Sequence, residues 1–290
     1  MIEKNLVLDR KNQKPIVFDV FYNKTSTPKP LVIFCHGYKG FKDWGAWDQV
    51  AEQFKDAGLF FVKFNFSHNG GTVNQPIDFP DLEAFAENNY TKELQDLGDI
   101  ITFLISDKNP LSNQINTQHI TVIGHSRGGG IATIKASEDN RITKLITWAS
   151  VCAFGKRTST TGDLEQWKKA GVKHVLNGRT KQKMPHNYQF YLDYKAHEVR
   201  LNIENACKHI TIPHAIIHAI DDPSVSFEEA EQLHNWNPKS TLISLKNSNH
   251  VFNASHPWNS NTLPEALQTV VTKAIAFINT KSVKRTASKI

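Results

Sequence analysis

The chain has 290 residues, a hydrophobic fraction of 39% and a net charge of +6. That length is enough for one large α/β domain with a sizeable core, and no apolar run is long enough to cross a bilayer. The basic excess is local: residues 153–205 carry ten Lys and Arg against five Asp and Glu, residues 281–290 add four cations, and the rest is slightly acidic, which excludes the uniformly basic face of a nucleic-acid-binding protein.

The elements follow in chain order. Residues 5–8 and 16–22 read as an antiparallel strand pair at one edge of a sheet. Residues 25–30, Thr-Ser-Thr-Pro-Lys-Pro, read as a turn that cannot continue a strand. A continuous apolar strand is expected over 31–35, a helix over 47–57 and a strand over 59–66. Residues 91–105 place Leu94, Leu97, Ile101 and Leu104 at helical spacing. A β-branched strand over 120–123 leads into a helix through Gly129–Ala136. Further strands are expected over 145–151, 214–220 and 241–245, and the last helices over 227–234 and 264–278. Repeated β-α-β units imply a mostly parallel sheet with helices on both faces.

Residues 153–205 break that rhythm. The segment is basic and rich in aromatics, with Trp167, Tyr188, Phe190, Tyr191 and Tyr194. It stands where a single crossover helix would do, and it is expected to form a lid inserted over a site. The expected organisation is one domain over 1–280 and a basic, flexible tail over 281–290. Met1–Leu6 lacks the basic-then-apolar order of a secretory signal. Cys35, Cys152 and Cys207 are too few and too scattered for a disulfide framework, so a reducing, cytoplasmic setting is expected.

The chemistry centres on Gly124-His125-Ser126-Arg127-Gly128. The form G-x-S-x-G between a strand and a helix marks a tight turn that holds a serine in a strained conformation at a helix N-terminus. A serine hydroxyl needs a base, usually a neutral histidine oriented by a carboxylate. In an open parallel sheet these groups come from the carboxyl ends of strands. His250 follows the last expected strand and is the candidate base. Asp221 and Asp222 follow the strand before it, and either is a candidate acid. His36 fits a loop-structuring role better, and the side chain of His125 is expected to turn away from that of its neighbour Ser126. His214 and His218 lie on an expected strand with no second cluster to complete a metal site. Backbone N–H groups of Arg127, just after the serine, and of Tyr38, in the turn His36-Gly37-Tyr38, are the candidate oxyanion donors. Phe41, Trp44, Trp167 and Tyr188 are candidate substrate contacts, with Trp47 and other aromatics nearby.

Together these residues resemble the α/β-hydrolase superfamily over 31–278. His36-Gly37 matches its oxyanion loop and Gly124–Gly128 its nucleophile elbow. Its acid motif, H-G-x-x-D-x-x-V, aligns Asp222 and Val225 with the D and V places, so the resemblance favours Asp222. Ala219 stands where that motif has glycine. His250-Val251-Phe252 is similar to the family's H-x-F ending. Within the superfamily the chain resembles the dienelactone-hydrolase-like and cinnamoyl- or feruloyl-esterase-like branch, with serine where true dienelactone hydrolases use cysteine. It also resembles the catalytic domains of acylaminoacyl and dipeptidyl peptidases. The expected activity is hydrolysis of a small-molecule carboxylic ester through an acyl-enzyme. Cleavage of short peptides or amides with the same triad is the alternative, and a non-catalytic binding protein of this fold a further one. No metal, cofactor, nucleic acid or membrane partner is expected. The oligomeric state is open, a homodimer included.

Overall fold

The structure is a computed structural model that describes residues 1–280. The basic tail expected over 281–290 lies outside the described residues. The elements are strands β1 (Ile2–Leu8), β2 (Ile16–Phe21) and β3 (Lys29–Cys35), helix α1 (Trp47–Asp56), strand β4 (Phe60–Phe64), helices α2 (Leu82–Ala86) and α3 (Tyr90–Leu104), strand β5 (Ile115–His125), helix α4 (Arg127–Glu138) and strand β6 (Lys144–Trp148). Helix α5 (Leu164–Ala170), strands β7 (Val172–Leu176) and β8 (Lys183–Asn187) and helix α6 (Gln189–Ala196) follow. The chain continues through α7 (Ile203–His209), β9 (His214–Ala219), α8 (Phe227–Trp236), β10 (Thr241–Leu245) and α9 (Glu265–Asn279).

Eight strands form one sheet in the order β1-β2-β4-β3-β5-β6-β9-β10. Strand β2 pairs antiparallel with β1 and β4, and every pair from β4 to β10 is parallel. Both faces are covered, so the central strands are apolar throughout rather than alternating with polar residues. In β3, Leu31, Ile33 and Cys35 join the core on the side of α3, α4, α7 and α8. Val32 and Phe34 face the other layer, against Trp47, Val50 and Phe54 of α1 and Leu267, Val270 and Val271 of α9. Among the described residues no helix is long and apolar enough to cross a membrane.

Several boundaries differ from the sequence reading, among them β5, which begins at Ile115, and β6, which ends at Trp148; two of the differences have clear reasons. Strand β3 starts at Lys29 and includes Pro30, opposite Asn116, with a register shift before Leu31. Proline is tolerated at the beginning of a strand, where the lost donor matters least. Residues 203–205, expected in the lid, begin α7. Ile203, Ala206 and Cys207 bury one face of that helix in the core, so the insertion proper ends before it. The insertion holds α5, a separate antiparallel hairpin of β7 and β8, and α6.

A buried ionic network anchors the sheet edge. Asp19 of β2 is fully buried and binds the ammonium groups of Lys42 and Lys63, each at 2.7 Å. Asp43 also accepts from both lysines, and Asp48 lies 2.8 Å from Lys63. The three carboxylates converge closely enough to hold a cation, and the Lys63 ammonium supplies that charge. Lys42 thereby ties the loop between β3 and α1 to the sheet.

Candidate active site

The chain passes from β3 to β4 on one side, then returns to place β5 on the other side of β3. Loops leaving β3 and β5 therefore diverge and open a crevice at their carboxyl ends. Ser126 stands there, between β5 and α4, with φ 57° and ψ −121°. A non-glycine residue pays about 1–3 kcal/mol to hold such a conformation. Its surroundings impose it: the Ser126 N–H donates to Trp148 O at 2.9 Å and its carbonyl accepts from Gly129 at 3.0 Å. The flanking glycines are steric necessities. A Cβ on Gly124 would lie 2.2 Å from Gly128 O, and one on Gly128 would lie 2.5 Å from Cys35 O.

Ser126, His250 and Asp222 are brought together. His250 Nε2 lies 2.9 Å from Ser126 Oγ, and His250 Nδ1 lies 2.8 Å from Asp222 Oδ2. The turn after β10 presents His250: Asn249 Oδ1 accepts from the N–H groups of Val251 and Asn253, and Asn253 Nδ2 donates to Asn247 O. Asp222 Oδ1 accepts from the N–H groups of Ser224 at 2.8 Å and Val225 at 3.0 Å. Burial works to raise the Asp222 pKa, but hydrogen bonds from His218 and His250 outweigh it and hold the carboxyl well below the usual range. Asp221 is exposed.

Two histidines that sequence reasoning left outside the site support it from beneath. His218 Nε2 donates to Val225 O at 2.8 Å and lies 3.4 Å from Asp222 Oδ2. His125 Nε2 donates to the carbonyl of His250 at 2.9 Å, and its ring lies 4.9 Å from the His250 ring. His125 also lines the cavity beside Ser126, so its ring belongs to the site as a support for His250. Burial first, then the neighbouring His250, pushes its pKa down to about 3, which keeps this donor neutral.

The loop after β3 lies against the serine. A Cβ on Gly37 would come within 2.8 Å of Ser126 Cβ. His36 shapes this loop as expected: its Nδ1 donates to Gly37 O at 2.9 Å, and its Nε2 accepts from Phe66 N at 3.2 Å. Tyr38 follows in that turn. The Arg127 N–H is the first of α4 and has no acceptor within the helix. The side chains of both residues engage the insertion. Tyr38 Oη lies 2.7 Å from His186 Nε2 of β8. The Arg127 guanidinium sits 4.3 Å from the Tyr38 ring centroid and donates to Ser159 Oγ at 3.1 Å. Burial pushes Tyr38 up to about 12 and His186 down to about 3, so this contact is between neutral groups.

Ser126 and His250 open into a cavity of about 250 Å³. The apolar rings of Trp44 and Trp47 and the polar side chains of Lys39, Asn177 and Arg179 line it. The other aromatics expected to touch substrate do not line it. Phe41 is fully buried with Phe79, Phe85 and Met184. Trp167 is buried and donates through Nε1 to His186 O at 2.8 Å, and Tyr188 packs edge-on against it at 5.5 Å. Phe41 thus packs beneath the loop after β3, while Trp167 and Tyr188 join the main core and fasten the insertion to the sheet domain. Of the cavity residues that the sequence did not single out, Lys39 comes from the turn after β3, and Asn177 and Arg179 come from the polar turn between β7 and β8, where nothing in the local pattern distinguishes a lining residue from a solvated loop. A larger polar cleft of about 870 Å³ lies between the β1–β2 turn, α3 and residues 197–200, and Ser126 takes no part in it.

The chain has the α/β-hydrolase fold: the strand order, the helices on both faces and the elbow after β5 define it. Among solved structures it is similar to the α/β hydrolase GrgF from Penicillium sp. sh18, with TM-score 0.72 and 13% identity over 96% of this chain and 98% of that one. It is similar to Est1E from Butyrivibrio proteoclasticus, with TM-score 0.68 and 16% identity over 94% and 96% of the two chains. It is also similar to a dienelactone hydrolase from Anabaena variabilis ATCC 29413, with TM-score 0.62 and 15% identity over 96% of each. No family model matches the sequence, and no curated protein matches it.

Proposed function

We propose that the protein is a serine hydrolase that cleaves carboxylic esters through an acyl-enzyme. The observation that carries the reading is the unbroken relay from Ser126 Oγ through His250 to Asp222, at 2.9 and 2.8 Å, on a backbone held at positive φ. His250 Nε2 accepts the hydroxyl proton as Oγ bonds to the ester carbonyl carbon. The Asp222 carboxylate stabilises the imidazolium that forms. The oxyanion receives hydrogen bonds from the Tyr38 and Arg127 N–H groups, donors fixed in place before the charge develops. His250 returns the proton to the leaving alcohol oxygen as the carbon–oxygen bond breaks. Water, deprotonated by His250, then attacks the acyl-serine, and the proton goes back to Ser126 as the acid leaves.

Two neighbours lend support by their own chemistry: Est1E has been solved with ferulic acid bound, and the Anabaena protein is a dienelactone hydrolase. A small-molecule substrate suits a cavity of about 250 Å³. The three buried, unpaired thiols suit a cytoplasmic enzyme. Stopped-flow hydrolysis of 4-nitrophenyl acetate tests the proposal, with acetyl-4-nitroanilide as the matched amide. A burst of one nitrophenolate per Ser126 followed by slower turnover, with the anilide left intact, is the expected result. Efficient anilide cleavage would make the enzyme an amidase, and no turnover of either would end the hydrolase reading.

A further inference from the structure

The cavity beside Ser126 carries an unbalanced charge. Lys39 and Arg179 line it, and no aspartate or glutamate does. Asp222, the nearest acid to the chemistry, has a side chain fully shielded from solvent behind His250. Lys39 is half-buried and, among the described residues, pairs with no carboxylate; its contact is with the Tyr38 ring, 5.1 Å from Nζ to the centroid. It also holds a φ of 55°, a backbone conformation that glycine would adopt more easily. Burial, then the charge of Arg127, lowers its pKa, as expected of a cation without a counter-charge. Arg179 pairs with Asp78 on one side and faces the cavity on the other. Asn177 lines the same cavity; its Oδ1 accepts from the Arg179 backbone N–H at 3.1 Å, which leaves its NH₂ group to serve a ligand.

Resting on the ester-hydrolase reading, we infer that the site selects esters bearing an anionic group, a carboxylate in the simplest case, seated between Lys39 and Arg179 while the apolar part of the substrate lies along Trp44 and Trp47. An anion there receives charge-assisted hydrogen bonds in a partly desolvated setting, where such contacts are strongest. A neutral ester of equal length leaves both cations without that partner. The cations belong to the cavity wall, so the selectivity is a property of these two residues and not of the basic insertion as a whole.

The test compares kcat/KM for mono-4-nitrophenyl adipate with that for 4-nitrophenyl hexanoate, which has the same chain length and no charge. The wild-type protein favours the adipate. In the Lys39→Gln/Arg179→Gln variant the adipate-to-hexanoate ratio falls about tenfold or more, as loss of a charge-assisted contact requires. Lys168→Gln/Lys169→Gln, which removes two exposed cations of α5, keeps the wild-type ratio. Labelling by a neutral fluorophosphonate shows that each variant is folded and its serine competent. A ratio that is the same in wild type and the cavity variant overturns the proposal, as does an equal fall in the α5 variant. Either result, with hexanoate still cleaved, leaves ester hydrolysis standing. Absence of both turnover and labelling in the wild-type protein removes the hydrolase reading and this proposal with it.

Discussion

At the scale of single residues, adjacent carboxylates have opposite fates. Asp222 is shielded from solvent and satisfied on both oxygens, by Ser224 and Val225 on one and His250 on the other. Asp221 is exposed. Asp222→Asn is expected to lower kcat for 4-nitrophenyl acetate by about 10⁴-fold, because the wrong tautomer of His250 is then favoured, whereas Asp221→Asn leaves kcat unchanged. Ser126→Ala is expected to remove on the order of 10⁶ of the rate enhancement. Steady-state kinetics on the purified variants reads all three. The candidate serine and base, which the structure brings within 2.9 Å, were legible as candidates because their signals are local: two glycines around a serine after a β-branched run, and a histidine in a polar turn after a strand. The residues alone left the acid open, since Asp221 and Asp222 share one turn, and only the family pattern favoured one. His125 and His218 were not legible as supports. Each makes its contact with a residue distant in sequence, and no spacing encodes that.

At the scale of elements, the insertion and the oxyanion loop are joined. Tyr38 and Arg127, the proposed donors, each bond to the insertion, through His186 and Ser159. Glu93 of α3 adds a contact to Arg127 at 3.5 Å. On that proposal, displacing β8 moves a backbone N–H that would serve the transition state. His186→Phe is expected to lower kcat about tenfold with KM changed by less than about twofold, since small misplacements act on the reacting geometry more than on binding. His186→Gln, which keeps a group able to bond Tyr38 Oη, is expected to restore most of it. A change in KM alone would contradict this coupling. The central strands and the main helices were readable from period and apolarity, as in β3 and α3. The insertion was readable only as an interruption. Strand β8 reads Lys-Met-Pro-His-Asn, which has neither strand alternation nor strand propensity, and its pairing with β7 is set by tertiary context. The same holds for Trp167, whose size suits a pocket wall and a place in the core equally well.

At the scale of the whole molecule, stability should depend steeply on acidity. His36, His125, His186 and His214 are buried and their pKa values are pushed down to between about 3 and 4, burial being the main cause in each. The unfolded chain binds protons at these residues below about 6.5 while the folded chain does not. Stability therefore falls as pH drops through that window, by up to about 1.4 kcal/mol per pH unit for each histidine. Asp96 acts in the opposite sense, because burial raises it to about 6 and folding then takes up its proton. Asp222, held low, adds its loss only at still lower pH, below the ordinary carboxylate range. The urea midpoint is expected to fall markedly between pH 7 and pH 5. A midpoint unchanged across that interval would contradict the buried, neutral state of these histidines.

The proposed chemistry requires Ser126 to be an activated nucleophile. Incubation with a fluorophosphonate, followed by peptide mapping by mass spectrometry, tests this most directly. The expected result is one adduct, on Ser126, absent in Ser126→Ala and much slower to form in His250→Ala. A protein that stays unmodified, or that carries the adduct on another residue, would contradict it.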